Sequence, residues 1–251
     1  MIELMAPPGR LTKIALAFRG HKGGTGKSTV TINTAIGFAC SGLSTAVIDV
    51  DPQQSTFKIL TRRNLETIGL ARVDVFSITT MEDLVATVTR LHQTHEVIIF
   101  DTAGNVATGL GNACLLYCQL AILPFNTSKI DLDTAPGVND ALDMIKQEHP
   151  NLATHSMANR LTTHHQRRPN KIKYMADHFV TLHNLPMIDT SFSNRELYTD
   201  SLDEYRSVLE FKGEAAVTCG DEVKSLLVEI VTLLTAQQNR IKQEQLEAEA
   251  V

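Results

Sequence analysis

The fold of this chain is decided by one stretch, His21-Lys22-Gly23-Gly24-Thr25-Gly26-Lys27-Ser28-Thr29. An apolar run, Ile14 to Phe18, precedes the stretch, and a helix-like run, Thr29 to Cys40, follows it. A strand, a glycine-rich loop and a helix in this order are typical of a phosphate-binding loop, in which glycines let backbone N–H groups approach phosphate oxygens. The helix N-terminus adds partial positive charge at the same place. We therefore expect Lys27 to contact the β- and γ-phosphates of a nucleotide and the Ser28 hydroxyl to ligate Mg²⁺.

The loop departs from the common pattern G-x-x-x-x-G-K-[S/T] at one position, because His21 stands where the first glycine belongs. A second lysine, Lys22, opens the loop instead. This arrangement resembles the deviant Walker A motif of the ParA/MinD family of ATPases. The resemblance implies that Lys22 acts in catalysis with Lys27 by reaching across a two-fold interface to the phosphates bound in a second subunit. It also implies that ATP is held by the whole loop, namely Lys22, Gly23, Gly24, Thr25, Gly26, Lys27, Ser28 and Thr29.

Two further apolar runs end in acidic residues. One ends in Asp49-Val50-Asp51, followed by Pro52-Gln53, and the other ends in Asp101. Acids at the carboxyl ends of parallel strands lie beside the nucleotide crevice of an α/β sheet. Asp101 fits a Walker B strand, whose acid holds Mg²⁺ through a water. The family resemblance implies that Asp51 positions the attacking water and that Asp49 lies near the magnesium, although both acids could instead only cap the next helix.

Two weaker signals concern the γ-phosphate and the base. Where the ParA/MinD family usually has Asp-Thr-Pro-Pro, this chain has Asp-Thr-Ala-Gly, which ends at Gly104. A glycine there could move its N–H toward a γ-phosphate, as switch segments do. Asn159 follows a weak strand-like run. The resemblance implies that Asn159 reads the adenine base, and the alternative is an ordinary turn asparagine.

Strand-like and helix-like runs alternate from about Lys13 to Leu234 of this chain of 251 residues. This pattern predicts an α/β fold with a doubly wound, mostly parallel sheet covered by helices on both faces. We expect a flexible leader over residues 1–12 and one P-loop ATPase domain over 13–251, with a C-terminal helix and a polar tail. The four cysteines lack metal-site spacing, so buried free thiols are expected. The net charge of −5 argues against a chain whose whole surface coats nucleic acid, but it allows a local basic patch.

Such a patch occurs between Asn151 and Ala176, where the chain has no acidic residue. Its basic side chains are the candidates for DNA phosphate contacts. They are Arg160, Arg167, Arg168, Lys171 and Lys173. The alternative is a solvated helix flank without a nucleic-acid partner.

The resemblance is to the small ParA type that lacks an N-terminal helix-turn-helix. It implies an ATP- and Mg²⁺-dependent homodimer that binds DNA without sequence preference and hydrolyses ATP slowly. A small ParB-like adaptor would then stimulate hydrolysis and release the DNA. The implied role is plasmid or chromosome partition, although a related role in conjugation stays open. With no signal peptide and no long apolar run, we expect a cytoplasmic protein that associates with the nucleoid in the ATP state.

Two other classes of function stay open. A MinD-like regulator binds membranes through a basic amphipathic tail, whereas Gln243 to Val251 carries three Glu and no Lys. A metabolic P-loop enzyme on the same scaffold is the other alternative. Nitrogenase iron protein, however, needs a cysteine that binds its metal cluster at the position where this chain has Thr108. The related bacterial tyrosine kinases have a group of tyrosines at the C-terminus, whereas the last tyrosine of this chain is Tyr205.

Overall fold

The computed structural model describes residues 13–20, 23–66, 69–103, 109–126, 136–162, 174, 176–178, 180–181 and 184–249, of which 136–141 are described by their backbone alone. Strands and helices alternate through these residues. The strands are β1 (Ile14–Phe18), β2 (Thr45–Asp49), β3 (Asp74–Ser77), β4 (Val97–Asp101), β5 (Leu120–Asn126) and β6 (Ala153–Asn159). The helices are α1 (Lys27–Cys40), α2 (Ser55–Glu66), α3 (Met81–Thr94), α4 (Gly109–Leu115), α5 (Pro136–Glu148), α6 (Leu197–Asp203) and α7 (Glu214–Glu249), with a short 3₁₀ helix at Val208–Glu210.

The strands of the described residues form one parallel sheet in the order β3-β2-β4-β1-β5-β6. The predicted α/β class is therefore confirmed. The connection from β1 leads to β2 on one side of the sheet, and the connection from β4 leads to β5 on the other side. The direction of the strand order therefore reverses between the neighbouring strands β1 and β4. In open parallel sheets, ligands bind outside the carboxyl ends of the strands at such a reversal. The glycine-rich loop leaves β1 at this place, and Asp101 ends β4 there.

The sheet is buried on both faces because successive side chains of a strand point to opposite sides. Leu16 and Phe18 of β1 pack with α1 and α7. Ala17 of β1 and Phe100 of β4 pack on the other face, against α3, α4 and α5. This two-sided burial explains the near-continuous apolar runs of the strands. No helix in the described part of the chain combines the length and the apolar character that a membrane crossing requires.

Helix α1 is buried around most of its circumference because it lies between the sheet and α7. The two helices approach each other closely at Gly37, where an added Cβ would lie 2.8 Å from Leu227 Cδ1. On α7 the apolar residues recur at helical spacing, as in Val223, Leu227 and Ile230, and turn toward α1. The packing of α7 therefore holds α1, the helix that follows the glycine-rich loop, in place. This limits how far the loop can shift.

A buried polar network also holds α1. Asn33 donates to Thr29 O in the first turn of α1, and its Oδ1 accepts from the Ser207 hydroxyl and the Val208 N–H. Beside this turn, Glu210 pairs with the guanidinium of Arg63 on α2, and both side chains are buried. Breaking a buried, hydrogen-bonded charge pair is costly, so this network ties α2 to the start of the 3₁₀ helix and to α1.

Candidate nucleotide site

The site lies at the carboxyl edge of the sheet, where three segments meet. The glycine-rich loop follows β1, and the register pairs Asp49 at the end of β2 with Asp101 at the end of β4. Asp51 follows two residues after Asp49. The parallel register therefore brings acids that are about 50 residues apart in sequence to the same edge, as the sequence pattern predicts.

The described part of the loop ends in an open helix N-terminus. Gly26 is the residue before α1, has φ 81°, and gives α1 no side-chain cap. A left-handed backbone of this kind favours glycine. An added Cβ at Gly26 would also lie 2.2 Å from Asn159 Nδ2, so the position has no room for a side chain. The uncapped N–H groups and the helix dipole make this end of α1 suited to an anion such as a phosphate.

Lys27 is buried, and its ammonium lies between two carboxylates. Its Nζ is 3.6 Å from Asp51 Oδ2 and 3.7 Å from Asp101 Oδ1. Both distances allow an ion pair, and the low local dielectric strengthens the attraction. A phosphate that binds at the loop would compete with these carboxylates for Lys27, so the three side chains form one electrostatic unit.

Asp101 is fully buried and accepts two hydroxyl hydrogen bonds on one oxygen. Ser28 Oγ donates to Asp101 Oδ2 at 2.8 Å, and Thr56 Oγ1 donates to the same oxygen at 2.5 Å. Burial raises the pKa of Asp101, while Lys27 and the two hydroxyls oppose that rise. The sequence pattern predicted the closeness of Ser28 and Asp101. It did not identify Thr56, since a threonine at a helix start gives no sign of a partner on another strand.

Asp49 holds the turn that carries Asp51. Its Oδ1 accepts from Asp51 N at 3.0 Å, and its Oδ2 accepts from Phe57 N at 2.9 Å. Burial, followed by the charge of Asp101, raises the pKa of Asp49 to about 6. Because both oxygens bind backbone N–H groups, the observed geometry makes Asp49 an anchor for residues 51–57. Its predicted place near a magnesium remains a prediction.

The side chains fit a magnesium ion of the kind that nucleotide phosphates bring with them. Asp101 Oδ1 is buried without a hydrogen-bond partner among the described residues, and the Ser28 hydroxyl lies beside the same carboxylate. The described residues contain no cluster of three or more His, Cys, Asp or Glu side chains that could hold a metal by themselves. A hydroxyl and one carboxylate with open coordination positions suit Mg²⁺, which keeps several waters and shares phosphate oxygens. In such a site Ser28 and Asp101 would hold the ion.

A pocket adjoins the other side of the first turn of α1. Two neighbouring cavities of about 210 and 410 Å³ share four wall residues, namely Thr29, Arg160, Tyr198 and Thr199. The remaining wall residues come from the end of β6, from residues 193–195, and from α2 and α6. They are Asn159, Ser193, Asn194 and Arg195 in the smaller cavity and Ile59, Leu202, Asp203 and Tyr205 in the larger. Both cavities border Thr29, so they lie beside the first turn of α1, next to the glycine-rich loop.

Arg160 lies at this pocket, although the sequence suggested it as a DNA contact. Its backbone is left-handed, with φ 53°, and its Nε lies 3.7 Å from the position of an added Gly26 Cβ. Left-handed backbone at a non-glycine residue carries a cost and often occurs at functional sites. The position favours a nucleotide contact over a DNA contact, and the DNA contact stays a prediction.

Asn159 is already engaged by the protein. Its Nδ2 donates to Thr25 O at 2.7 Å, and its Oδ1 accepts from Arg160 N at 2.9 Å. The residue lies at the end of β6 and is buried, so it is not a turn asparagine. The observed contacts let Asn159 hold the glycine-rich loop against β6, and adenine recognition by its remaining hydrogen-bonding capacity stays a prediction.

Several predicted site residues lie outside the described residues. They are Lys22 and Gly104 at the nucleotide and Arg167, Arg168, Lys171 and Lys173 in the basic stretch. Of the other predicted residues, Gly23 to Thr29, Asp51 and Asp101 gather at one end of α1, and Asn159 and Arg160 lie beside them. The pocket walls formed by residues 193–205 had no sequence signal, because they reach the site through the tertiary fold.

The sequence of residues 16–209 matches a protein family described as the CobQ/CobB/MinD/ParA nucleotide binding domain. No curated protein matches the chain significantly by sequence. The match covers the glycine-rich loop, the acidic strand ends and the pocket walls described above.

Solved structures of three similar proteins show how widely this fold is used. The MinD cell division protein of Aquifex aeolicus has a TM-score of 0.65 and 17% identity, over 85% of this chain and 96% of its own. A plasmid partition protein from Borrelia burgdorferi has a TM-score of 0.56 and 17% identity, over 87% of this chain and 99% of its own. Cobyrinic acid a,c-diamide synthase from Mycobacterium smegmatis, with bound ADP and magnesium, has a TM-score of 0.58 and 13% identity, over 76% of this chain and 93% of its own.

Proposed function

The chain belongs to the CobQ/CobB/MinD/ParA family of nucleotide-binding domains, and from that premise we propose that it is a ParA-type ATPase of plasmid or chromosome partition. It binds ATP with Mg²⁺, forms a homodimer in the ATP state and binds DNA without sequence preference. A small ParB-like adaptor stimulates hydrolysis, which releases the DNA. The protein is cytoplasmic and associates with the nucleoid while ATP is bound.

One observation carries this proposal. The ammonium of Lys27 lies between the carboxylates of Asp51 and Asp101, and the hydroxyls of Ser28 and Thr56 both donate hydrogen bonds to Asp101. A buried ammonium and an open helix N-terminus supply the positive charge that a triphosphate needs. Magnesium bound with the nucleotide would neutralise further phosphate charge. Asp51 lies close to Lys27, the lysine proposed to contact the phosphates. In this proposal Asp51 does not hold the metal, so its carboxylate is available to orient the attacking water.

The choice of ATP and magnesium is supported by the fold relatives. The structure of the Mycobacterium smegmatis synthase contains ADP and magnesium. The pocket beside Thr29 has a volume that suits a base and ribose and adjoins the helix that follows the loop, so it is the place proposed for the nucleoside. These observations favour a nucleotide over a free phosphate as the ligand.

Partition activity is tested best at Lys22, which separates a ParA-like dimer from a simple P-loop enzyme. We expect Lys22→Ala to bind a fluorescent ATP analogue normally, yet to stay monomeric in light scattering with ATP and to lose ATP-dependent DNA binding. Removing two charge-assisted hydrogen bonds, each worth about 1.5–3 kcal/mol, would weaken the dimer by roughly two to four orders of magnitude. As the matched variant, Asp51→Ala should bind ATP and dimerise but hydrolyse it poorly. An unimpaired ATP dimer in Lys22→Ala would refute the ParA-type switch.

DNA binding has its own test in the basic stretch. Replacing Arg167, Arg168 and Lys171 with Ala should weaken binding to unrelated DNA sequences equally. The slope of log K against log salt should flatten by about 0.9 for each side chain that no longer neutralises a phosphate. A slope equal to that of the wild type would mean that this stretch is a solvated surface.

A further inference from the structure

The first turn of α2 touches the buried acid of β4 through one side chain. Thr56 is fully buried, and its hydroxyl donates to Asp101 Oδ2 at 2.5 Å. The Ser28 hydroxyl donates to the same oxygen at 2.8 Å. Two hydroxyls from different segments thus share one carboxylate oxygen, and both segments border the phosphate end of the site.

The segment that leads to Thr56 is a closed turn. Asp51 N and Phe57 N both donate to Asp49, which holds the two ends of residues 51–57 together. Within the turn, Gln54 has φ 53°, a left-handed conformation that costs energy for a non-glycine residue. A movement of Thr56 is therefore passed to Asp51, because a short closed turn cannot absorb it.

We propose that Thr56 is a positioning residue that, through Asp101, couples the Asp51 turn to magnesium binding. This inference rests on the proposed ATP- and Mg²⁺-binding function. The Thr56 and Ser28 hydroxyls occupy Asp101 Oδ2 and thereby orient the carboxylate. Asp101 Oδ1 is buried, has no hydrogen-bond partner among the described residues and lies 3.7 Å from Lys27 Nζ, so it is the oxygen that would hold the metal through a water.

The coupling follows from the chemistry of the carboxylate. An ionised carboxylate only accepts hydrogen bonds, so the direction of its donors fixes its plane. Groups that orient a metal-site ligand from outside alter metal affinity when they are removed, typically by about 10–100-fold. Coupling between two binding equilibria is reciprocal, so a metal held by Asp101 must in turn favour the docked position of α2 and Asp51.

The test compares Thr56→Val, which keeps the shape but removes the hydroxyl, with Thr56→Ser, which keeps the hydroxyl. The matched control is Thr34→Val on α1, a buried threonine whose hydroxyl has no partner among the described residues. A fluorescent ATP analogue is titrated in EDTA, and then Mg²⁺ is titrated at fixed nucleotide. We expect Thr56→Val to need about tenfold more Mg²⁺ for half-saturation, with unchanged nucleotide affinity in EDTA. Thr56→Ser and Thr34→Val should match the wild type.

A purely structural hydrogen bond predicts a different result. In that case Thr56→Val lowers the melting temperature while its Mg²⁺ requirement equals that of the wild type, and this outcome would overturn the proposal. An Mg²⁺ requirement in Thr56→Ser as high as in Thr56→Val would also overturn it, because the hydroxyl would then be irrelevant.

Hydrogen exchange on the wild-type protein gives a second measurement of the coupling. It needs no substituted protein, so it does not depend on whether a variant folds. Adding Mg²⁺ to the ATP-bound protein should increase protection of the backbone amides of residues 53–57. Unchanged protection would contradict the coupling. Failure of the proposed function gives a different result. In that case the wild type itself would bind no ATP in the presence of Mg²⁺, and the coupling would be refuted together with the proposed function.

Discussion

The two ends of the candidate nucleotide site are built in opposite ways. At the phosphate end, Lys27, Asp51 and Asp101 are held within ion-pair distance, and hydroxyls and backbone N–H groups fix the carboxylates. At the other end, an open pocket is walled by Arg160 after β6, by residues of the stretch 193–205, and by Thr29 of α1 and Ile59 of α2. Ion pairs and short hydrogen bonds define the phosphate end, whereas the base end is an open pocket with polar and charged side chains in its walls.

This difference indicates where binding energy and where selectivity arise. Charge-assisted contacts in a buried setting contribute more than exposed ones, so most of the affinity for a triphosphate should come from the phosphate end. The base end should add less affinity but decide which nucleotide is accepted. Comparing ATP with adenosine, which lacks the phosphates, separates the two contributions.

The largest effect is expected for Lys27→Ala. The variant should bind a fluorescent ATP analogue about 100-fold more weakly or worse, because the substitution removes a charge-assisted hydrogen bond worth up to about 3 kcal/mol. Asp51 and Asp101 would then also repel the phosphates without compensation. Adenosine affinity, measured by competition calorimetry, should stay unchanged. Lys224→Ala, which removes a lysine on α7 paired with Asp221, serves as the control. Equal losses for ATP and adenosine would mean that Lys27 supports the whole site and not the phosphate end.

The second effect is a pH dependence at Asp49. Burial and the charge of Asp101 raise the pKa of Asp49 from 3.8 to about 6, so the folded protein binds a proton more tightly than the unfolded chain. The stability contributed by protonation is complete near pH 4 and is lost as the pH rises through 6. At about 1.4 kcal/mol per pKa unit, the free energy of unfolding should fall by about 2–3 kcal/mol across this range.

Urea denaturation of the wild type and of Asp49→Asn at several pH values between 4 and 7 measures this contribution. The variant is expected to be less stable throughout, since an amide cannot accept both N–H groups that Asp49 accepts. Its stability should nevertheless fall less than that of the wild type between pH 4 and 6, because the contribution of Asp49 is gone while that of Asp101 remains. Parallel curves for the two proteins would show that Asp49 does not titrate in this window.

The contrast between the two ends also explains what the sequence could predict. Gly26, Lys27, Ser28 and Asp101 belong to short patterns in which a glycine-rich loop or an apolar strand adjoins a polar residue. Local spacing is enough to place them at a sheet edge, and the structure places them there. Thr56 could not be predicted in this way, because no sequence pattern at the start of α2 indicates that its hydroxyl meets Asp101 of β4.

The base end was harder to predict for the same physical reason. Tyr198 of α6 and Tyr205 just after α6 line the same pocket as Thr29 of α1, and only the tertiary fold brings these segments together. Asn159 was expected to read adenine, yet its amide holds Thr25 of the loop, a contact across 134 residues. A local sequence pattern identifies Asn159 as a candidate site residue. It cannot show which hydrogen-bond partner the side-chain amide of Asn159 has in the folded protein.

The third prediction concerns the junction of the two ends, Gly26→Ala. Ala at φ 81° costs about 1–2 kcal/mol, and its Cβ would lie 2.2 Å from Asn159 Nδ2. Gly42→Ala is the matched control, because Gly42 has φ 86° and nothing within 4 Å of an added Cβ. We expect both variants to lose stability in urea and Gly26→Ala to lose about 1 kcal/mol more. Only Gly26→Ala should weaken ATP binding, by about tenfold. Equal losses of stability would show that the loop moves away from β6 without cost.

The smallest effect is expected for Arg160→Ala at the base end. The Arg160 side chain is exposed, and a contact between an exposed guanidinium and a base is worth about 0.5–1 kcal/mol. The affinities of the variant for ATP and for adenosine should therefore both be about two- to fivefold lower than those of the wild type, whereas Lys27→Ala lowers the affinity for ATP alone. Arg240→Ala, an exposed arginine on α7, controls for net charge. The DNA role predicted from the sequence gives the opposite result, because nucleotide affinity would be unchanged and the salt slope of DNA binding would flatten by about 0.9. That result would assign Arg160 to the DNA surface and leave the base pocket to residues 193–205.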